Sequence, residues 1–247
     1  MRTLQRLVLG LSMLGATVVA HAAEHFDLPS GRAGVSQPIY LHLAARPVAS
    51  AVLFPGGMGA VYAVRNNFLI RVADDFAAAG ITVAIADAPS DHPGGVERGF
   101  RASEAQAIDS AAIVAFLRSR APVPVWLIGT SNGAISAANA GVRLGPAPIA
   151  GVVLTSSVWI GGMQGTDFQM LRVPTLIVHN RNDSCPLSPF DQAAPALASL
   201  HSAPAKELIA VSSLASLSGP CEAKSPHGYW GLEKQVVQRI VGWIKTH

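Results

Sequence analysis

The chain has 247 residues, half of them apolar, without a long charged or low-complexity run, which fits one well-cored domain and leaves no room for a second full one. Lysine and arginine together number 18 against 15 acidic residues, and two of the arginines lie within the first six positions. No basic block interleaved with aromatic residues stands out, which argues against nucleic-acid binding and against a polybasic membrane patch. The expected partner is a small molecule.

Residues 1–22 have the pattern of a secretory signal peptide. Two arginines precede an apolar stretch over 7–20, and Ala20-His21-Ala22 supplies the small residues of a cleavage site. A buried helix or a membrane anchor is the alternative, but the stretch is shorter than the roughly 20 residues that span a bilayer. With cleavage after Ala22, the sequence predicts a domain over 23–247 in an exported, periplasmic or secreted protein without a stable membrane anchor.

Short runs rich in valine and isoleucine then alternate with longer segments of helical period, which is typical of a mostly parallel β-sheet flanked by helices. The predicted strands are Pro38 to Leu43, Val48 to Phe54, Ile81 to Ala86, Val123 to Ile128, Ala150 to Thr155, Thr175 to His179 and Glu207 to Val211. The predicted helices cover 63–79, which ends before Gly80 as a C-cap, then 102–120, a segment directly after Ser131, and Gly231 to Lys245. The longest stretch without either, Ser156 to Arg172, is glycine-rich and short. We therefore expect an α/β fold with no large lid and an open pocket.

The motif Gly129-Thr130-Ser131-Asn132-Gly133 lies between an apolar strand and an alanine-rich helix. A serine at such a turn is held in a strained backbone conformation above the sheet, and small residues are needed beside it because strand and helix approach closely. An ordinary tight turn is the alternative. The context favours Ser131 as a nucleophile, with the backbone N–H of Asn132 as one donor to a developing oxyanion.

At these residues the sequence resembles the α/β-hydrolase superfamily, from about Pro38 to the C-terminus, and it looks closest to small lidless dienelactone-hydrolase-like and esterase-like proteins. The resemblance implies a Ser-acid-His order, each residue following a strand. Asp183 follows the strand that ends at His179 and is the expected acid, and His227 precedes the last helix and is the expected base. The weaker candidates for the acid are Asp87, Asp167 and Asp191, and the histidines interpreted as ordinary strand, loop or helix-end residues are His42, His92, His179 and His201.

The second oxyanion donor is expected after the second predicted strand, where Phe54-Pro55-Gly56-Gly57-Met58-Gly59 resembles the family's His-Gly-Gly loop with Pro55 in place of histidine. The N–H of Gly57 is the first candidate and that of Met58 the second, although three glycines can equally form a plain turn.

Cys185 and Cys221 are the only cysteines. Because export leads to an oxidising compartment, we expect them to form a disulfide that ties the Asp183 loop to the His227 loop. Two unrelated buried thiols are the alternative.

These residues together predict a serine hydrolase that acts through an acyl-enzyme, with small carboxylic esters as the substrate class that the resemblance implies. Peptidase, thioesterase or lactonase activity on the same triad stays open, as does a non-catalytic binding protein with the hydrolase fold. No cofactor motif and no metal-site spacing is present, and a redox role of the cysteines is weak because they lack a Cys-x-x-Cys arrangement.

The pocket-lining candidates are Trp159, Met163, Met58, Tyr62 and Trp230, and the segments expected to decide specificity are Pro89 to Arg101 and Ser156 to Asp167. The oligomeric state is not predicted.

Overall fold

A computed structural model describes residues 23–163 and 165–247, in which eight strands form one open sheet. The strands are β1 (Glu24–Pro29), β2 (Ser36–His42), β3 (Ala49–Phe54), β4 (Ile81–Ala86), β5 (Val125–Thr130), β6 (Gly151–Thr155), β7 (Thr175–Asn180) and β8 (Lys206–Val211). Their order across the sheet is β1-β2-β4-β3-β5-β6-β7-β8. The pairs β1–β2 and β2–β4 are antiparallel, and every other pair is parallel.

Helices cover both faces of this sheet. They are α1 (Phe68–Arg71), α2 (Ala73–Ala78), α3 (Arg98–Arg101), α4 (Glu104–Arg120), α5 (Gly133–Leu144), α6 (Ala193–Ser199) and α7 (Glu233–Ile244), with single 3-10 turns at Phe168–Met170, Phe190–Gln192 and Pro226–Gly228. One core layer packs α4, α5 and α6 against the sheet, and the other packs α1, α2 and α7 against it. Five adjacent strands of the sheet are therefore buried on both faces, which explains their continuous apolar sequences; they are β4, β3, β5, β6 and β7.

Strand β5 illustrates how the sequence divides between the two layers. Leu127 packs in the layer that contains α4 and α5, whereas Trp126 and Ile128 pack in the layer that contains α7. Successive side chains of a strand point to opposite faces, so an uninterrupted apolar run fills both cores at once. The α/β class with a mostly parallel sheet, predicted from these runs, is what the structure has.

Four elements differ from the prediction. Strand β1 was not predicted, because it is a largely exposed edge strand that β2 holds in register. The helix predicted over 63–79 was wrong in extent: Asn67 caps α1, and Val72 separates α1 from α2. The helices α3 and α6 are four and seven residues long, too short for a helical period to be recognised in sequence.

The predicted signal peptide lies outside the described residues. In the part that the structure does describe, no helix has the length and apolar character needed to cross a membrane.

Candidate active site

Ser131 lies in a sharp turn between β5 and α5. Its φ angle of 54° is in the left-handed region, which costs a residue with a side chain about 1–2 kcal/mol. The turn is held because the Ser131 N–H donates to Thr155 O at 3.0 Å and the Ser131 carbonyl accepts from Ala134 N at 3.0 Å. Glycine is required on both sides: a Cβ at Gly129 would collide with the Gly133 carbonyl, and one at Gly133 with the Phe54 carbonyl.

The structure brings Asp183 and His227 into direct contact. His227 Nδ1 lies 2.8 Å from Asp183 Oδ2, and both side chains are buried. Because a carboxylate accepts, this bond assigns the proton to Nδ1 and leaves Nε2 as the acceptor of a neutral imidazole. Nε2 is buried and has no hydrogen-bond partner among the described residues. His227 and Ser131 line the same cavity.

Hydrogen bonds fix the backbone around His227 on both sides. Its carbonyl accepts from Ser156 Oγ at 2.7 Å, and its N–H donates to Ser225 Oγ at 3.2 Å. Arg71 Nη2 donates to the next carbonyl, that of Gly228, at 2.9 Å. The fully buried Tyr229 donates its hydroxyl to Val178 O at 2.7 Å. The imidazole therefore stands on a segment anchored to the ends of neighbouring strands.

Asp183 accepts more hydrogen bonds than the one from His227. Cys185 N–H donates to Oδ1 at 3.0 Å, Ser188 Oγ donates to Oδ2 at 3.1 Å, and His179 Nε2 lies 3.3 Å from Oδ2. Burial opposes ionisation of this carboxyl, but the hydrogen bonds from His179 and His227 outweigh it and lower the pKa of Asp183 to about 2. The carboxylate is therefore ionised throughout the neutral range.

The other acids considered from the sequence lie elsewhere. Asp87 accepts from the N–H groups of Val61 and Ala88, and both Asp167 and Asp191 are exposed. His42 pairs with Asp74.

His179, which the sequence placed among the ordinary strand residues, instead contacts Asp183. A signal for it was present in its position: it precedes Asp183 by four residues at the end of a buried strand.

A side-chain hydrogen bond joins Asn132, the residue after Ser131, to the loop that contains Gly57. Asn132 Nδ2 donates to the Gly57 carbonyl at 3.2 Å, and Arg98 Nε donates to Asn132 Oδ1 at 2.9 Å. Within the described residues, neither backbone N–H is bonded to an acceptor, and the same is true of the N–H of Met58. Gly57 lines the cavity at Ser131, whereas Met58 does not.

Arg101, the second arginine of α3, contacts the same Gly57 carbonyl that Asn132 contacts. Arg101 Nη2 donates to Gly57 O at 3.3 Å and Nη1 to Ser136 Oγ at 3.0 Å. The side chain is 2% exposed, no carboxylate of the described chain lies within ion-pairing distance, and burial lowers the pKa of Arg101 to about 10. Arg98 and Arg101 were missed in the sequence because a four-residue helix gives no pattern to recognise.

The cavity at Ser131 has a volume of about 350 Å³, within the range of small-molecule sites. Its walls come from the segment that leads into α1 and from the loop before His227; the lining residues are Gly57, Ala63, Val64, Asn66, Asn67, Phe68, Thr130, Ser131, Cys221, Glu222, Ala223, His227 and Gly228. None of the five bulky residues expected to line the pocket does so. Trp159 and Met163 line a separate cavity with Phe168, Met58 and Tyr62 are exposed, and Trp230 packs against Arg71.

Cys185 and Cys221 form a disulfide, as predicted, with a Cα–Cα distance of 4.6 Å. Cys185 also donates its N–H to Asp183, and Cys221 lines the cavity. The bridge thus connects the loop of the buried acid to the wall of the pocket.

No family model and no curated protein matches the chain. Solved structures do match it. A dienelactone hydrolase from Anabaena variabilis is 16% identical with a TM-score of 0.68, over 92% of this chain and 99% of that one. A lidless α/β serine hydrolase from Xanthomonas campestris is 17% identical with a TM-score of 0.62, over 91% and 98%. An esterase from Pyrococcus furiosus is 13% identical with a TM-score of 0.67, over 91% and 92%. The chain therefore has the α/β-hydrolase fold.

Proposed function

We propose that the protein is a serine hydrolase in which Ser131 is the nucleophile, His227 the general base and Asp183 the acid that orients it. The observation that carries this proposal is the 2.8 Å contact between His227 Nδ1 and Asp183 Oδ2, made by a histidine that shares a cavity with the left-handed Ser131. A nucleophile, a base and a group that fixes the tautomer of the base are the three components of acyl transfer by serine.

The reaction follows from these roles. His227 Nε2 accepts the Ser131 hydroxyl proton as Oγ attacks the carbonyl carbon, and the carbonyl π electrons move to the oxygen to form a tetrahedral oxyanion. Collapse of this intermediate breaks the bond to the leaving group, which takes the proton from His227, and an acyl-enzyme remains. A water molecule deprotonated by His227 then attacks the acyl carbon, and Ser131 Oγ leaves with that proton.

Two backbone N–H groups, those of Asn132 and Gly57, are proposed to stabilise the oxyanion. In the described residues the N–H groups of Asn132, Gly57 and Met58 are all without an acceptor, and the place of Gly57 in the cavity wall supports this pair over one that contains Met58. The bond from Asn132 Nδ2 to the Gly57 carbonyl supports it further, because it holds the two donors at a constant separation. Loss of one such donor typically costs about 3–4 kcal/mol of transition-state stabilisation.

Small carboxylic esters are the proposed substrate class. A cavity of about 350 Å³, and the likeness in fold to an esterase and a dienelactone hydrolase, support small esters over long peptides. The disulfide further supports export, because such bonds persist in oxidising compartments.

The test is labelling of the purified mature protein with a fluorophosphonate, which phosphonylates an activated serine and expels fluoride. Ser131→Ala and His227→Ala are each expected to abolish labelling and hydrolysis of p-nitrophenyl butanoate. Ser202→Ala, which removes an exposed serine between α6 and β8, is the matched control and should label as the wild type does. A folded wild-type protein that neither labels nor cleaves activated esters would instead favour a binding protein with the hydrolase fold.

A further inference from the structure

The side-chain amide of Asn67 faces the cavity at Ser131 with its nitrogen unpaired. Asn67 is the N-cap residue of α1, and its Oδ1 accepts from the backbone N–H of Leu69 at 3.1 Å. Because a backbone N–H can only donate, this bond assigns the amide oxygen to the helix and leaves Nδ2 on the other side. Nδ2 has no hydrogen-bond acceptor in the described residues, and Asn67 lines the cavity.

Gly56 places this nitrogen close to the serine. A Cβ built on Gly56 would lie 2.9 Å from Ser131 Cβ and 3.2 Å from Asn67 Nδ2. The serine and the amide nitrogen therefore border the same small gap, and the absence of a side chain at Gly56 keeps that gap open. A hydrogen-bond donor is thus fixed beside the proposed nucleophile, in addition to the two backbone donors of the oxyanion site.

The acyl group is the part of an ester that such a donor would contact. It stays bonded to Ser131 Oγ through both steps of the proposed reaction, whereas the alcohol departs after the first. Of the residues that line the cavity, only Val64 and Phe68 are large and apolar, while Asn66, Asn67 and Glu222 are polar. These walls fit a short acyl group with a polar substituent better than a long alkyl chain.

We infer that Asn67 Nδ2 donates a hydrogen bond to an oxygen attached to carbon 2 of the acyl group, so that the enzyme selects esters of 2-hydroxy and 2-alkoxy acids. This inference rests on the proposed function of Ser131. A donor that an oxygenated acyl group satisfies, and that a plain alkyl group covers and leaves unpaired, discriminates between the two substrates.

The test compares p-nitrophenyl methoxyacetate with p-nitrophenyl butanoate, whose acyl chains differ by an oxygen in place of a methylene. The quantity measured is the ratio of their kcat/KM values, and each variant is compared with the wild type so that the intrinsic reactivity of the two esters cancels. Asn67→Ser keeps an N-cap acceptor but removes Nδ2, and Asn67→Asp keeps the acceptor and replaces the donor with a carboxylate oxygen.

We expect the ratio to fall about fivefold to tenfold in Asn67→Ser and further in Asn67→Asp, with melting temperatures close to that of the wild type in both. In Arg65→Ser, which changes an exposed residue of the same segment that does not line the cavity, the ratio should keep the wild-type value. An unchanged ratio in both Asn67 variants, with fluorophosphonate labelling intact, would mean that Asn67 serves only as a helix cap. That result would overturn this inference and leave the proposed function standing. If the wild type neither labels nor cleaves either ester, the proposed function fails and the inference fails with it.

Discussion

His179 Nε2 lies 3.3 Å from Asp183 Oδ2, the same carboxylate oxygen that His227 Nδ1 contacts at 2.8 Å. The proposed catalytic acid is therefore shared by two histidines. Only His227 lines the cavity. His179 is fully buried, stacks on Trp159 with 6.4 Å between ring centroids, and also has Ser188 O 2.9 Å from Nε2. Because a carbonyl only accepts, that nitrogen carries the proton, and His179 can hold the carboxylate but cannot reach substrate.

The first prediction concerns this second histidine. In His179→Leu, Ser188 O and Asp183 lose a donor inside the protein, which should lower the free energy of unfolding by about 2 kcal/mol. His179→Gln places an amide nitrogen near the position of Nε2 and should recover at least half of that loss. Urea denaturation at neutral pH measures both, and equal stability of the two variants would show that the donor has no part in the effect.

The second prediction concerns pH. The pKa of Asp183 is lower in the folded protein, at about 2, than its ordinary value of 3.8, so the unfolded chain takes up the proton first as the pH falls. The stabilisation is complete above about pH 4 and disappears as the pH drops through the folded pKa, and it amounts to about 2 kcal/mol. We expect the stability difference between the wild type and Asp183→Asn to narrow by about this amount from pH 6 to pH 2. A difference that does not change with pH would contradict the assignment.

The third prediction concerns the strained serine. Glycine adopts positive φ angles without the steric cost that Ser131 meets at 54°. Ser131→Gly should therefore unfold with a free energy about 1 kcal/mol higher than Ser131→Ala, although both are inactive. Thermal denaturation of the two variants makes the comparison, and a less stable glycine variant would mean that the turn is not strained.

The fourth prediction concerns the buried cation of Arg101. A buried charge without a carboxylate partner is expensive, so Arg101→Met should leave the stability unchanged or raise it by about 1 kcal/mol. The same change removes the bond to the Gly57 carbonyl and should lower kcat about tenfold with little effect on KM. Ser136→Ala is the control, because it removes the other partner of Arg101 and leaves Gly57 untouched. An unstable Arg101→Met protein with normal kcat would reverse this interpretation.

The fifth prediction concerns the disulfide. It closes a loop over a sequence separation of 36, for which the chain-entropy relation gives about 4 kcal/mol. Replacement of both Cys185 and Cys221 with serine should lower the free energy of unfolding by about this amount. A reductant should destabilise the wild type in the same way and leave the double variant unaffected, whereas a reductant effect on both would point to a different cause.

Several features could be predicted from the sequence because they depend on local patterns. The apolar runs predict the central strands, since a strand buried on both faces has no polar alternation to obscure it. The Gly129-to-Gly133 motif predicts a strained turn at Ser131, since the close approach of strand and helix excludes a Cβ at both glycines.

By itself, then, the sequence determined the fold class, the turn at Ser131 and the residues from which an acid and a base could be chosen. Only the tertiary structure decided which acid meets His227, that His179 and Ser188 also contact this acid, and that Asn132 and Arg101 hold the Gly57 carbonyl. It also decided that Asn67, and none of the bulky residues favoured from the sequence, lines the cavity. The physical reason is that hydrogen bonds between residues tens of positions apart depend on where the strands place their ends, and a one-turn helix or a single asparagine leaves no periodic pattern in the chain.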